Sequence, residues 1–138
     1  MPVRFANALQ PYALSLLRFV AGLCFLEHGL SKFFAFPVAG PAHLTALSLI
    51  AGLIEVIGGV LVLLGLLTRP AAFIMSGEMA IAYFMVHAPN SAFPLANGGE
   101  AAILYCFIFF YLIFAGPGPI SLDRLIAWRR PRTRPAHA

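Results

Sequence analysis

Four apolar runs, separated by proline- and glycine-bearing breaks, fill most of this chain. Each carries one glutamate inside it or at its edge: Glu27, Glu55, Glu78 and Glu100. The runs cover 12–36, 44–67, 70–88 and 99–115. Each lies near the ~20 residues that a helix needs to cross ~30 Å of hydrocarbon, the last two on the short side. Pro37 and Pro41, Thr68-Arg69-Pro70, Pro89-Asn90 with Pro94, and Gly116-Pro117-Gly118-Pro119 punctuate them. Hydrophobic residues make up 61% of the chain and charged ones 10%, with mean hydropathy +0.89. A soluble domain carries about 25% charged residues. The pattern predicts an all-α, polytopic membrane protein: an antiparallel bundle of four transmembrane helices over 1–120, then a basic cytoplasmic tail over 121–138.

The formal charge of +4 comes from that tail, which holds Arg124, Arg129, Arg130, Arg132 and Arg134. In a chain this apolar, a basic surplus reports membrane orientation and excludes nucleic acid as a partner. Arg4, Arg69 and the tail fall on one side of the predicted spans. The opposite loops hold only Lys32 and His43, so the positive-inside rule puts both termini in the cytoplasm. Arg18 lies low in the first span, within snorkelling reach of that face. Ser121 is placed to cap a short interfacial helix over 121–129, with Leu122, Leu125 and Ile126 on one face and Trp128 at headgroup level. Disordered chain is expected beyond Pro131. Arg18 interrupts the first apolar run, which therefore reads as a retained helix rather than a signal peptide. Cys24 and Cys106 both fall inside spans and form no C-x-x-C pair, which fits small apolar fillers.

A carboxylate at the bilayer centre costs roughly 2.5–3.5 kcal/mol on insertion scales, so such groups normally face the interior of a bundle and mark a site. At ~1.5 Å per residue, Glu55 and Glu78 fall near mid-span, with Glu27 and His28 slightly toward the outer face. His87 ends the third span on that face and Glu100 begins the fourth there. The expected result is a polar cavity opening outward, lined by Glu27, His28, Glu55, Glu78, His87 and Glu100. At ~100° per residue, Ser48, Gly52, Glu55 and Gly59 share one stripe of the second span. Arg18, Gly22, Phe25 and Gly29 share one of the first, flanked by His28 and Lys32. On an ideal helix Glu78 and His87 point apart and join one site only if the third span bends. The alternative is structural: glutamates paired with Arg18, Lys32, His28 or His87. Di-iron bundles use Glu-x-x-His on two helices; that spacing is absent, and no metal is expected. No phosphate loop, dinucleotide fingerprint or nucleophile–base triad is present.

Three blocks in order carry a family resemblance. Leu17-Arg18-Phe19, Gly22 and Phe25-Leu26-Glu27-His28-Gly29 with Lys32 resemble the first helix of the DoxX family. Gly52-Leu53-Ile54-Glu55 with Gly58-Gly59, Gly65 and Thr68-Arg69 is similar to its second helix and turn. Asn97-Gly98-Gly99-Glu100 leading into Ala101, Leu104 and Tyr105 resembles its fourth-helix signature. The resemblance spans about 12–123. It implies a four-helix protein of the bacterial inner membrane, with relatives that include the membrane subunit of a thiosulfate:quinone oxidoreductase and proteins linked to thiol-redox complexes. By position, Arg18, Glu27, His28, Lys32, Glu55, Asn97 and Glu100 are the matching polar residues. The family supplies no secure catalytic set.

Three functions are compatible with these residues. The first is a membrane subunit of a quinone- or thiol-linked redox complex. In it, Phe25, Phe107 and Tyr111 would form an apolar slot, and His28, Glu27 and Glu55 would supply hydrogen bonds and a proton path. The second is a small proton-coupled transporter, built as a homo-oligomer, with intramembrane carboxylates as carriers. The third is a non-catalytic scaffold that docks a soluble partner through the basic tail.

Overall fold

The computed structural model describes residues 3–129. Its elements are α1 (Val3–Phe34), α2 (Ala46–Leu64), α3 (Thr68–Ala82), a π-helical segment (Tyr83–His87), the short α4 (Pro94–Asn97), α5 (Glu100–Ala115) and α6 (Leu122–Arg129). No strand occurs among the described residues, and the fold is all-α. Two helices, α1 and α2, are long and apolar enough to cross a membrane; α5 is a shorter apolar helix. The chain beyond Pro131, where disorder is expected, lies outside the described residues, as do Arg130, Arg132 and Arg134.

The helices follow the apolar runs, with one displaced boundary. α1 begins at Val3 and carries Pro11 within it, so the first helix extends well before the run that starts at residue 12. Its far end closes where Ala35 takes a positive φ of 52°. α2 opens on Thr45, whose hydroxyl accepts the Ser48 N–H at 3.1 Å. It closes in a Schellman turn: Leu66 N donates to Leu61 O at 2.9 Å and Gly65 N to Val62 O at 3.1 Å. Gly65 stands there at φ 68°, a conformation that favours glycine.

Packing organises the helices as two antiparallel pairs. On α1, Gly22 faces Leu63 and Gly59, and Gly29 faces Val56 and Glu55. On α2, Gly59 in turn faces the backbone of Leu26. The glycine stripes expected on the first two spans therefore meet each other, and small residues are what permit backbones to approach this closely. α3 lies along α5, where Ser76 Oγ donates to the Cys106 carbonyl at 2.9 Å. α2 packs on α3, and α1 meets α5 more sparingly. Phe25, Val62, Met75, Phe109 and Leu112 fill the centre without solvent exposure. The outer faces are apolar too, with Leu16, Phe19, Ile57, Phe73, Phe84, Leu104 and Phe114 all exposed. An apolar exterior around an apolar core is an arrangement that hydrocarbon solvates and water does not.

The arginine-bearing end is pinned by two charged side chains. Arg18 is 3% exposed. Its guanidinium donates to the carbonyls of Val62, Leu63 (2.6 Å), Pro117 (2.8 Å) and Ile120 (2.6 Å). It does not snorkel. It satisfies carbonyls at the C-terminal end of α2, where a cation also complements the helix dipole, and ties that end to the loop after α5. Asp123 of α6 accepts the Leu67 N–H at 2.9 Å and the Thr68 N–H at 3.1 Å. The N-terminus of α3 is thus capped by a residue far along the chain. Ser121 caps α6 as the sequence predicts, accepting the Arg124 N–H at 3.2 Å.

Candidate functional site

Toward the other end, the polar residues of three helices converge. Lys32, near the C-terminus of α1, donates to Glu55 of α2 at 2.6 Å. Glu55 is 4% exposed, and its second carboxylate oxygen has no hydrogen-bond partner among the described residues. Glu78 of α3 is partly buried, and both its carboxylate oxygens are enclosed with no such partner. Groups of this kind are costly to bury and need water, a proton or a ligand to satisfy them.

Lys32, Glu55 and Glu78 line one cavity of about 320 Å³, together with Thr45, Ser48 and Met79. A larger apolar groove of about 610 Å³ runs outward from it between α2, α3 and α5. Ile50, Ile54, Phe73, Ile74, Phe110 and Phe114 line this groove. The cavity and the groove share Leu47, Ala51, Glu78 and Ile81 as a common border. Glu78 is the charged residue on that border. A third space of about 290 Å³ lies on the far side of Glu55, lined by Phe25, His28, His87, Ala102 and Tyr105. It borders the first cavity through Glu55, Met79 and Ala82.

The π segment explains how His87 reaches this region. Ala88 N donates to Tyr83 O at 2.9 Å, an i→i+5 bond. Such a turn takes in about one extra residue. At ~100° per residue it swings the following side chains back by about that angle, bringing Glu78 and His87 from opposite faces to roughly 80° apart. The two nonetheless line different spaces, Glu78 the cavity with Lys32 and His87 the space with His28, and both spaces touch Glu55. His87 Nδ1 lies 3.0 Å from the Asn97 carbonyl. A carbonyl only accepts, so Nδ1 carries the proton and Nε2 is left as the basic nitrogen.

The remaining expected site residues fall elsewhere. Asn97 works in the loop, donating to Ser91 O at 2.9 Å and accepting the Gly99 N–H at 2.7 Å. Glu27 is exposed and Glu100 is exposed at the start of α5; neither lines a cavity with Glu55 or Glu78. Arg18 belongs to the opposite end. Of the aromatic slot expected from Phe25, Phe107 and Tyr111, Phe25 is in the core and walls the histidine space. Phe107 and Tyr111 are exposed on the outside of α5. Phe73, Phe110 and Phe114 form the apolar surface instead, and sequence reading gave no pointer to them, because their facing depends on how α3 and α5 pack. Tyr105 was visible as part of a family block; its ring stands edge-on to His28 at 5.9 Å. Among the described residues no group of three histidine, cysteine or acidic side chains is placed to hold a metal ion, and both cysteines are free.

Comparison with known proteins fits this architecture. The family model for DoxX matches residues 13–88, which takes in α1, α2, α3 and the π segment with Lys32, Glu55, Glu78 and His87. The chain belongs to the DoxX family. The fourth-helix block from Asn97 onward lies outside that match. An uncharacterized protein of Haemophilus influenzae is 46% identical over 121 residues, covering 83% of this chain and 90% of its own length. An uncharacterized membrane protein of Mycobacterium tuberculosis is 28% identical over 144 aligned positions, covering 91% and 88%. No solved structure matches the chain. Family membership, together with the two membrane-length helices and the apolar exterior, identifies a DoxX-family membrane protein.

Proposed function

We propose that this DoxX protein is the membrane subunit of a quinone-linked redox complex, with the quinone head held at Glu78, Glu55 and Lys32 and its tail in the groove of Phe73, Phe110 and Phe114. The observation that carries the reading is Glu78. It places two buried, unpartnered carboxylate oxygens where a polar cavity joins an apolar groove. An amphiphile with a polar head and a hydrocarbon tail fits that junction, and pockets of ~300–1,000 Å³ with a few placed polar groups are typical of small-ligand sites.

Bound there, a quinone would supply two-electron, two-proton chemistry. The chain's own contribution is binding and proton handling. Lys32 is a donor for a carbonyl oxygen, Glu78 and Glu55 give or take a proton at their carboxylate oxygens, and the apolar walls exclude water.

In this reading all four long helical stretches span the bacterial inner membrane as a bundle, with residues 1–120 as the membrane domain. Arg4 in the first turn of α1, Arg69 in the first turn of α3, and Arg124 and Arg129 of α6 all lie toward the end pinned by Arg18 and Asp123, which supports a cytoplasmic placement of both termini. α6, with Leu125, Ile126 and Trp128 exposed, lies at the cytoplasmic interface. There the basic tail is available to a soluble redox partner or a second copy.

A photoreactive short-tailed ubiquinone tests the site. Crosslinks to peptides of α3 and α5 that carry Phe73, Glu78 or Phe110, competed by unlabelled quinone, are expected. Crosslinks spread evenly over the lipid-facing surface would overturn it.

A further inference from the structure

Three neighbouring spaces share walls in turn, and the shared residues include two carboxylic acids. Glu78 stands between the apolar groove and the polar cavity. Glu55 stands between the polar cavity and the space walled by His28, His87 and Tyr105. Glu55 is 4% exposed and holds Lys32 with one oxygen while the other is unpartnered. His87 is fixed by the Asn97 carbonyl in the tautomer that leaves Nε2 as a base. We infer that Glu55 is the middle member of a proton relay from Glu78 at the groove to His87 and His28 at the loop-side end of the molecule.

The groups that face Glu55 make such a relay balance. They are Lys32 and His28 from α1, Glu78 from α3, His87 from the π segment and Tyr105 from α5. Lys32, Glu55 and Glu78 together carry no net charge when one of the two carboxyls holds a proton. A proton passing from Glu78 to Glu55 breaks one carboxyl O–H bond and forms another. The negative charge moves to Glu78, which lines the same cavity as the Lys32 ammonium, so the cluster stays neutral in this step, as an apolar surround requires. The second transfer breaks the Glu55 O–H bond and forms N–H at His87 Nε2; the imidazolium offsets the second carboxylate, and as it releases its proton on the loop side Glu78 takes up another from the groove side, which restores the neutral cluster. Each of the two polar spaces, about 320 and 290 Å³, has room for several waters at ~30 Å³ apiece, enough to bridge groups that do not touch.

The relay rests on the proposed ligand site for the purpose it serves, but the transfers belong to the chain's own groups and can be read without ligand. Full-length protein in lipid vesicles is moved from H2O to D2O while infrared absorption follows the protonated-carboxyl C=O band. That band should disappear in Glu78→Gln or Glu55→Gln. Its deuterium exchange should slow on the order of tenfold or more in the His28→Ala/His87→Asn double variant, in line with the contribution of a positioned acid–base group. The asparagine amide introduced by His87→Asn retains a donor for the Asn97 carbonyl, so the loop keeps its anchor. Unchanged exchange in the double variant overturns the relay, and so does a wild-type protein with no protonated-carboxyl band near neutral pH. Native mass spectrometry of the same samples reads ligand separately. Slowed exchange in protein that carries no quinone supports the relay and removes the quinone reading. Unchanged exchange in protein that retains quinone does the reverse.

Discussion

The Lys32 ammonium and the Glu55 carboxylate meet at 2.6 Å across the α1–α2 interface, and Glu55 is almost wholly buried there. Breaking a buried pair by removing one partner leaves an uncompensated charge and costs about 3–5 kcal/mol, whereas replacing both members by apolar residues is often neutral. Lys32→Met is therefore expected to lower the thermal midpoint in detergent more than the double variant Lys32→Met/Glu55→Met. Equal losses in the two would show that the pair contributes no coupling.

Arg18 makes a second long-range tie, of a different kind. Its guanidinium reaches four carbonyls on two segments, a task for a planar, multi-donor group that a lysine ammonium cannot reproduce. Arg18→Lys should destabilise the protein by about 2–3 kcal/mol, the order expected for losing charged hydrogen bonds to buried acceptors. Limited proteolysis should show faster cleavage in 116–121 while the α1–α2 pair persists. Unaltered cleavage there would contradict the assignment.

Glycine at position 22 is required by contact. A Cβ added there would stand 2.6 Å from Leu63 N and 2.9 Å from Leu63 Cα, both backbone atoms. Gly22→Ala must force α1 and α2 apart and should cost about 1–3 kcal/mol, the range for overpacking. Gly77→Ala meets open space and should be neutral or mildly stabilising, since alanine is the better helix former. Chemical denaturation of the two variants side by side checks the contrast.

Asp123 caps α3 from α6. Asp123→Ala removes both acceptors and should cost about 1 kcal/mol, the usual cap value. Asp123→Asn retains one acceptor and should cost less. Hydrogen exchange at the Leu67 and Thr68 amides, faster in the alanine variant, is the direct readout.

These residues also mark what the sequence could and could not reveal. The helical segments, their breaks and the glycine stripes were legible because apolar length and ~3.6-residue periodicity act locally. That Gly22 and Gly59 face each other's helices follows from those stripes. The pairing of Lys32 with Glu55 was legible only as one of several options, because it depends on which helices are neighbours. Arg18 looked like a snorkelling cation; its carbonyl partners lie 44 to 102 positions along the chain, and carbonyls leave no mark in a sequence. Asp123 carries no sequence signal for the same reason, since its partners are backbone N–H groups of a distant turn. The π segment at Tyr83–His87 has no local signature either, yet it decides where His87 points.

The most direct test of the central claim is native mass spectrometry of the protein extracted gently from its own membrane, wild type beside Glu78→Gln. A bound quinone-sized mass in the wild type, largely lost in Glu78→Gln while the variant stays folded, is the predicted result. A wild-type protein free of such a mass, or one whose quinone survives Glu78→Gln undiminished, would contradict the account.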